Sequence, residues 1–286
     1  MLYKEGKIAL LSFLLSFSIS ILPEVLLRLE FDLHRQYFEN IWILHLVQYA
    51  LLNFLTIIAL RGFSYQVAVR AAFLGYAFGV GILIFTTAPP SWQMFGIYVT
   101  FLSFFHCSEF IVIAWTNPKE ISTDSFILNH SLAYGIAACS SWVEFLVERY
   151  YFPELKEPSV ISYFGFIVCF CGEVLRKLAI LTARHNFNHV VQNKKMNDHE
   201  LVTYGVYGLF RHPSYVGWFY WSMGTQLILQ NPFCFLAYTA ASWRFFHDRI
   251  FVEEVTLLSF FGEEYIEYQN KVGTGLPFIS GYKIDL

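Results

Sequence analysis

Apolar residues fill this chain in blocks of about twenty, and charges or proline pairs separate the blocks. A helix rising about 1.5 Å per residue needs about twenty apolar residues to cross a hydrocarbon core roughly 30 Å thick. The pattern therefore predicts spans near 8–27, 41–60, 67–87, 92–115, 125–146 and 159–183, with breaks such as TTAPPS (Thr86–Ser91) and ERYYFPELKEP (Glu148–Pro158). From His212 to Trp243 the chain carries no Asp, Glu, Lys or Arg for 32 residues, too long for one crossing and short for two. The turn signal Gln230-Asn231-Pro232 predicts a tight hairpin of two short spans there, making about eight crossings in all. Ile250 to Val272, IFVEEVTLLSFFGEEYIEYQNKV, mixes large apolar residues with paired acids around Gly262. It predicts two amphipathic helices along the membrane surface. Ala71, Gly75 and Gly79 sit at small-xxx-small spacing, which lets helices approach closely in lipid.

Composition agrees with a polytopic membrane protein: 56% hydrophobic and 20% aromatic residues against 14% charged, where soluble domains carry about a quarter. The net charge of −3, with no basic tail or stripe, excludes nucleic acid as a partner. Cys107, Cys139, Cys169, Cys171 and Cys234 lie in apolar stretches without metal-ligand spacing, so they read as core thiols and no metal is expected. The N-terminal apolar run meets Pro23-Glu24 without a small-residue cleavage site and reads as a retained span. Asn129-His130-Ser131 matches a glycosylation sequon but falls inside a predicted span. Eight crossings put 15 of the 19 Lys and Arg on one side, leaving Arg28, Arg35, Arg149 and Lys156 opposite, so the basic side is expected to be cytosolic. The expected fold is all-α: a lipid-embedded scaffold over residues 1–158, then a catalytic region over 159–286 on the cytosolic face.

Polar residues gather after the sixth span: Arg184, His185, Asn186, Asn188, His189, Gln192, then NDHELVTYGVYGLFRHPSY (Asn197–Tyr215). Beyond the hairpin come Arg244, His247, Asp248, Arg249, Glu253 and Glu254. One apolar hairpin thus brings two polar segments to the same side. Pro213 suits the first turn of a helix, where its missing N–H costs nothing, so His212-Pro213-Ser214-Tyr215 is expected to form a helix N-terminus able to take an anion. Gly217 and Gly224 would allow close approach to that helix. Arg249 and Glu253, four apart, share one helix face. Glu173 precedes Arg176 and Lys177 by three and four residues, where intrahelical pairing is the simpler account. The plainer alternative for the cluster is a snorkelling Arg211 beside an interfacial belt of Tyr215 and Trp218. For Glu263, Glu264 and Glu267 it is a surface anchoring cap.

Together, DHELVTYGVYGLFRHPSYVGW (Asp198–Trp218), RIFVEEVTLLSFFGEEYIEYQNKV (Arg249–Val272) and GLPFI (Gly275–Ile279) resemble the C-terminal half of the isoprenylcysteine carboxyl methyltransferases. The Arg-His-Pro-x-Tyr-x-Gly entrance is also shared with membrane phospholipid methyltransferases and resembles sterol-reductase tails; Arg249 and Glu253-Glu254 narrow it. The resemblance implies methyl transfer from S-adenosylmethionine, leaving S-adenosylhomocysteine. The acceptor would be the C-terminal carboxylate of a farnesylated or geranylgeranylated cysteine on CaaX-processed proteins of the small-GTPase type. The location implied is the endoplasmic reticulum membrane. It places the cofactor on Gln192, His199, Glu200, Leu201, Val202, Tyr207, His212, Pro213, Ser214, Tyr215 and Glu253, and the substrate on Arg249, with Arg176 a second choice. On that basis a strand-like Glu200-Leu201-Val202 segment would face the adenine edge, the helix N-terminus would take the methionyl carboxylate, and Glu253 the ribose or the ammonium. An ionised C-terminal carboxylate, of ordinary pKa about 3.5, needs no general base. A phospholipid N-methyltransferase would lack use for a carboxylate-binding Arg249, an NADPH-dependent sterol reductase would need a basic subsite where Glu253 stands, and a transporter would line a path across the bilayer with polar groups.

Overall fold

The computed structural model describes residues 2–28, 41–128 and 131–283. Among them all regular structure is helical: α1 (Lys4–Arg28), α2 (Ile41–Ala59), α3 (Gly62–Thr87), α4 (Pro90–Thr116), α5 (Leu132–Tyr151), α6 (Val160–Ala183), α7 (Pro213–Leu229), α8 (Pro232–Phe261) and α9 (Glu263–Lys271), with short 3-10 turns between some of them. Lys4–Val25, Gly62–Thr87 and Pro90–Thr116 are long and apolar enough to cross a membrane, and Ile43–Ala59 is a shorter apolar helix. Asn129 and His130 of the sequon, and Arg35, lie outside the described residues.

The chain divides into two compact units. One comprises Met1–Trp115, Ile121–Leu132 and Val147–Pro158; the other Thr116–Glu120, Ala133–Leu146 and Ser159–Leu286. In the first, α1 and α3 pack through the expected small residues: a Cβ on Gly75 would collide with the Phe13 backbone, and one on Gly79 with Phe17 and Ser20. Ala9, Phe13, Val67, Ala71, Leu74 and Phe110 form its core, with Phe110 stacked on Phe126 at 4.1 Å. The span expected at 125–146 starts later. Thr123–Phe126 is a 3-10 turn closed by a Ser122/Ser125 capping box, and α5 runs Leu132–Tyr151. The Ser122 and Ser125 hydroxyls accept from the Asp124 and Ser122 N–H groups, local side-chain bonds that favour a turn over continued helix.

In the second unit α6 and α7 meet backbone to backbone. A Cβ on Gly172 would lie 2.6 Å from the Gly217 carbonyl oxygen, and one on Gly224 2.6 Å from the Cys169 nitrogen, so Gly217 and Gly224 admit α6. The outer face of α6 presents Val160, Phe164, Ile167, Phe170, Val174 and Leu178 while Cys169, Gly172, Arg176 and Ala179 are buried, an inverted pattern suited to lipid. The hairpin turn stands where Gln230-Asn231-Pro232 predicts it: Gln230 takes a left-handed conformation (φ 54°) and Pro232 opens α8. Asn231 donates to the Ser141 carbonyl at 2.9 Å, and the Glu144 carboxylate accepts from the Phe233 and Cys234 N–H groups at the α8 N-terminus, where negative charge is favoured.

The expectation of two separate amphipathic helices after the hairpin is corrected. Residues 250–261 continue α8 without a break, giving one 30-residue helix, and only Gly262 (φ 52°) separates it from α9. No Gly or Pro interrupts Phe233–Phe261, so the change from apolar to amphipathic sequence marks a change of surroundings along a continuous helix.

Candidate functional site

α7 begins at Pro213, as its ring predicts, with His212 in the N-cap position. No side chain caps the helix. The His212 ring turns away instead, its Nε2 lying 3.0 Å from Glu254 Oε1. Glu254, 0% exposed, is a hub. Its Oε1 also faces Arg211 Nε at 2.8 Å and the Tyr265 hydroxyl at 3.2 Å, while Oε2 accepts from Gln269 Nε2 at 3.1 Å and the Tyr282 N–H at 2.8 Å. Arg211 spends its remaining donors on the carbonyls of Gln269, Val272 and Ser280, and its own N–H bonds Gly273 O at 2.8 Å. The Gly273–Tyr282 tail is thereby laced to the head of α7. Burial alone would push the Glu254 carboxyl up, but the hydrogen bonds and charges of His212 and Arg211 hold it below the ordinary carboxylate value.

Two adjoining cavities flank this head. The first is a void of about 680 Å³, open solvent included. Glu200, Leu201, Val202, Tyr207, His212, Pro213, Ser214, Tyr215 and Glu253 line it. The second, about 520 Å³, is lined by Gln192, His199 and Arg249 and shares Glu200, Tyr215 and Glu253 with the first. All twelve residues singled out for cofactor and substrate therefore converge on these walls. Arg176 lines neither. It is 1% exposed, donates to Ser214 Oγ at 2.9 Å and to the Ser214 carbonyl at 3.3 Å, and sits 4.7 Å over the Trp218 ring. Its work is to hold the first turn of α7. Glu173 pairs with Lys177 at 3.2 Å, as the spacing predicts.

At the shared wall the Tyr215 hydroxyl donates to Glu253 and accepts from Arg249 Nε at 3.1 Å. Arg249 Nη2 also donates to the His189 carbonyl at 2.6 Å. The i, i+4 placement of Arg249 and Glu253 on one face of α8 holds, with a phenol between them. Asp248, the other acid beside Arg249, pairs with Arg244 and His247 at 3.0 Å.

Several lining residues were given no role in the sequence, Asn186 and Asn188 having stood only among the polar residues after the sixth span. Asn186 and Asn188 line both cavities, and Asn186 Oδ1 accepts from the Glu200 N–H at 2.9 Å. Tyr265 and Tyr268 reach the first cavity from α9; Tyr268 donates to the Tyr207 carbonyl at 2.6 Å. Burial, with Glu253 or Glu254 adding to it, pushes the Tyr207, Tyr265 and Tyr268 phenols up, so all three stay protonated donors at neutral pH. Three apart on α9, Tyr265 and Tyr268 share a face, and that spacing was the available signal. The Glu200-Leu201-Val202 segment is a loop rather than a strand.

A family model described as the isoprenylcysteine carboxyl methyltransferase (ICMT) family matches residues 164–259, which contain most of these walls. A protein-S-isoprenylcysteine O-methyltransferase of Xenopus laevis is 53% identical over 285 residues, covering 99% of this chain and 98% of the relative. The chain belongs to the isoprenylcysteine carboxyl methyltransferase family. A Tribolium castaneum member of the same name is 60% identical over 222 residues, covering 78% of this chain and 79% of its own. The solved structure of the eukaryotic intramembrane Ras methyltransferase ICMT superposes with a TM-score of 0.90 at 50% identity, covering 99% of this chain and 100% of that one. The all-helical architecture is thus that of a membrane-embedded methyltransferase family, whose chemistry implies a methyl donor.

Proposed function

We propose that this chain transfers a methyl group from S-adenosylmethionine to the C-terminal carboxylate of a farnesylated or geranylgeranylated cysteine on CaaX-processed, small-GTPase-type proteins, forming a methyl ester. The observation that carries this is the shared wall. One cavity is walled by a helix N-terminus, the Glu253 acid and neutral phenols; the adjoining one presents a guanidinium. The first suits an amino-acid nucleoside, since backbone donors favour its carboxylate and Glu253 its ammonium or ribose hydroxyls. Bound there, S-adenosylmethionine supplies an electrophilic methyl carbon on a sulfonium.

The protein's part is alignment and exclusion of water. The carboxylate is ionised at neutral pH, so no residue needs to remove a proton. Arg249 orients that carboxylate from α8, while Asn186 holds the Glu200 backbone that faces the first cavity. Tyr207, Tyr265 and Tyr268 narrow that cavity with aromatic surface. Holding reactants in line is worth several kcal/mol of barrier when geometry is close.

The apolar pattern further supports about eight crossings, residues 1–158 as scaffold and 159–286 as catalytic region; family membership supports an endoplasmic reticulum location, and the Lys and Arg distribution a site facing the cytosol. Labelled S-adenosylmethionine, offered with either a prenylcysteine or phosphatidylethanolamine to the purified chain, tests the function: base-labile label on the prenylcysteine is expected, and label on the amine lipid alone overturns it. Terminal tags in sealed microsomes test orientation; both should be digested without detergent, and survival of either refutes it.

A further inference from the structure

A guanidinium presents a side edge, Nε with Nη2, and an end edge, Nη1 with Nη2, each able to take a carboxylate bidentately. The side edge of Arg249 is engaged: Nε donates to the Tyr215 hydroxyl and Nη2 to the His189 carbonyl. The direction of the bonds around Tyr215 follows from chemistry. Arg249 only donates, so the single phenolic proton goes to Glu253 and the oxygen lone pairs face Arg249. The ring carrying this hydroxyl is itself fixed. It stacks on His212 at 5.6 Å and 5° and on Phe246 at 5.2 Å and 29°, and His212 is tied to the buried Glu254. Tyr215 also lines both cavities. Without the hydroxyl, the side edge of Arg249 would lose its acceptor and the guanidinium would be free to turn away from the second cavity.

We propose that the Tyr215 hydroxyl is a positioning group for the acceptor: it holds the side edge of Arg249 and so turns the end edge of the guanidinium toward the substrate carboxylate. This rests on the function proposed above and moves the hydroxyl of Tyr215 from the cofactor's recognition to the acceptor's. Discrimination between an acceptor carboxylate and an uncharged carboxamide of the same shape then depends on this phenol. Cofactor affinity depends on it little.

The full-length chain in lipid nanodiscs tests this with two probes, N-acetyl-S-farnesylcysteine and its carboxamide. The KM of the acid is compared with the inhibition constant of the amide, and S-adenosylhomocysteine affinity is measured by calorimetry. In Tyr215→Phe, which keeps the stacked ring, the preference for acid over amide is expected to narrow at least threefold while S-adenosylhomocysteine affinity stays within threefold of wild type. Replacement of Tyr215 by 4-aminophenylalanine, whose amine still donates to Glu253 but accepts poorly from Arg249, should narrow it likewise, and this variant decides the matter if the phenylalanine variant does not fold. A folded variant whose acid-to-amide preference stays within threefold of wild type overturns the proposal, whatever happens to cofactor affinity. Failure of the wild-type protein to methylate the acid would instead overturn the proposed function, because that arm contains no variant.

Discussion

Replacing Glu254 with Gln isolates the hub at the head of α7. The substitution keeps size and shape and removes one charge. All five groups around the carboxylate are placed as donors: Arg211 Nε, His212 Nε2, the Tyr265 hydroxyl, Gln269 Nε2 and the Tyr282 N–H. A glutamine amide can accept on one side only, so in either orientation its NH₂ meets donors, and Arg211 is left as a buried cation without its partner. Removing one member of a buried pair costs about 3–5 kcal/mol. For a chain of this size, at roughly 2–4 °C per kcal/mol, that is a fall of about 6–20 °C in Tm. Thermal unfolding of the purified protein by tryptophan fluorescence reads it out, with Asp248→Asn as control. Asp248 pairs with Arg244 on the same helix, but the two side chains are 53% and 71% exposed, and solvent screening leaves such a pair little to contribute. Melting of Glu254→Gln within 2 °C of wild type would refute the hub. The acid side carries a second signature. Because the folded-state value of Glu254 is lowered, its stabilisation is complete above the ordinary carboxylate value and is lost as pH falls through the lowered one. The variant should therefore show a shallower loss of stability in acid.

Arg249→Lys keeps the charge but forfeits the planar fork; prenylcysteine methylation should drop at least about tenfold, equivalent to about 1.4 kcal/mol, with S-adenosylhomocysteine binding retained, and near-wild-type turnover would return Arg249 to a structural role. Glu253→Gln should weaken cofactor binding by calorimetry with little change in melting, since its carboxylate faces both cavities rather than the buried hub; unchanged affinity would remove it from the cofactor site. Gly217→Val places a Cβ 2.7 Å from the Gly172 carbonyl oxygen and should sharply lower the yield of folded protein, whereas Gly135→Ala, where a Cβ meets nothing within 4 Å, should not; equal yields would argue against the close seam.

What was legible in the sequence follows from how strongly the surroundings constrain each stretch. Lipid tolerates few charges, so the apolar runs at α1, α3 and α4 stand out from composition alone. Pro213 and Gln230-Asn231-Pro232 mark helix boundaries by backbone chemistry, and both boundaries stand where those residues predict them. The join at Trp243-Arg244 misleads because hydropathy reports the medium around a helix and not its hydrogen-bond ladder, so one 30-residue helix looked like two elements. The start of α5 was misplaced because Ser122 and Ser125 bond locally, a contest that an apolar count does not register. In the site, the residues contributed by Glu200–Tyr215 and by Arg249 with Glu253 were found because local motifs carry them. Asn186, Tyr265 and Tyr268 were given no role, since their value comes from contacts over 11 to 61 residues. Glu254 was singled out only as one of a pair of acids, and nothing local distinguishes the buried one from its neighbour facing the cavities.

The glycine contacts between α6 and α7 bear on motion. A seam of side chains opens when a rotamer swings aside, but glycine has nothing to swing, and at Gly172 and Gly217 the two main chains already touch. At those contacts no side-chain motion can open the seam. Toward α8, α7 is packed by rings instead, Trp218 lying 5.9 Å from Phe246 and 6.4 Å from Phe245. Rings can tilt and part, so this contact, unlike the glycine seam, can loosen without moving a backbone.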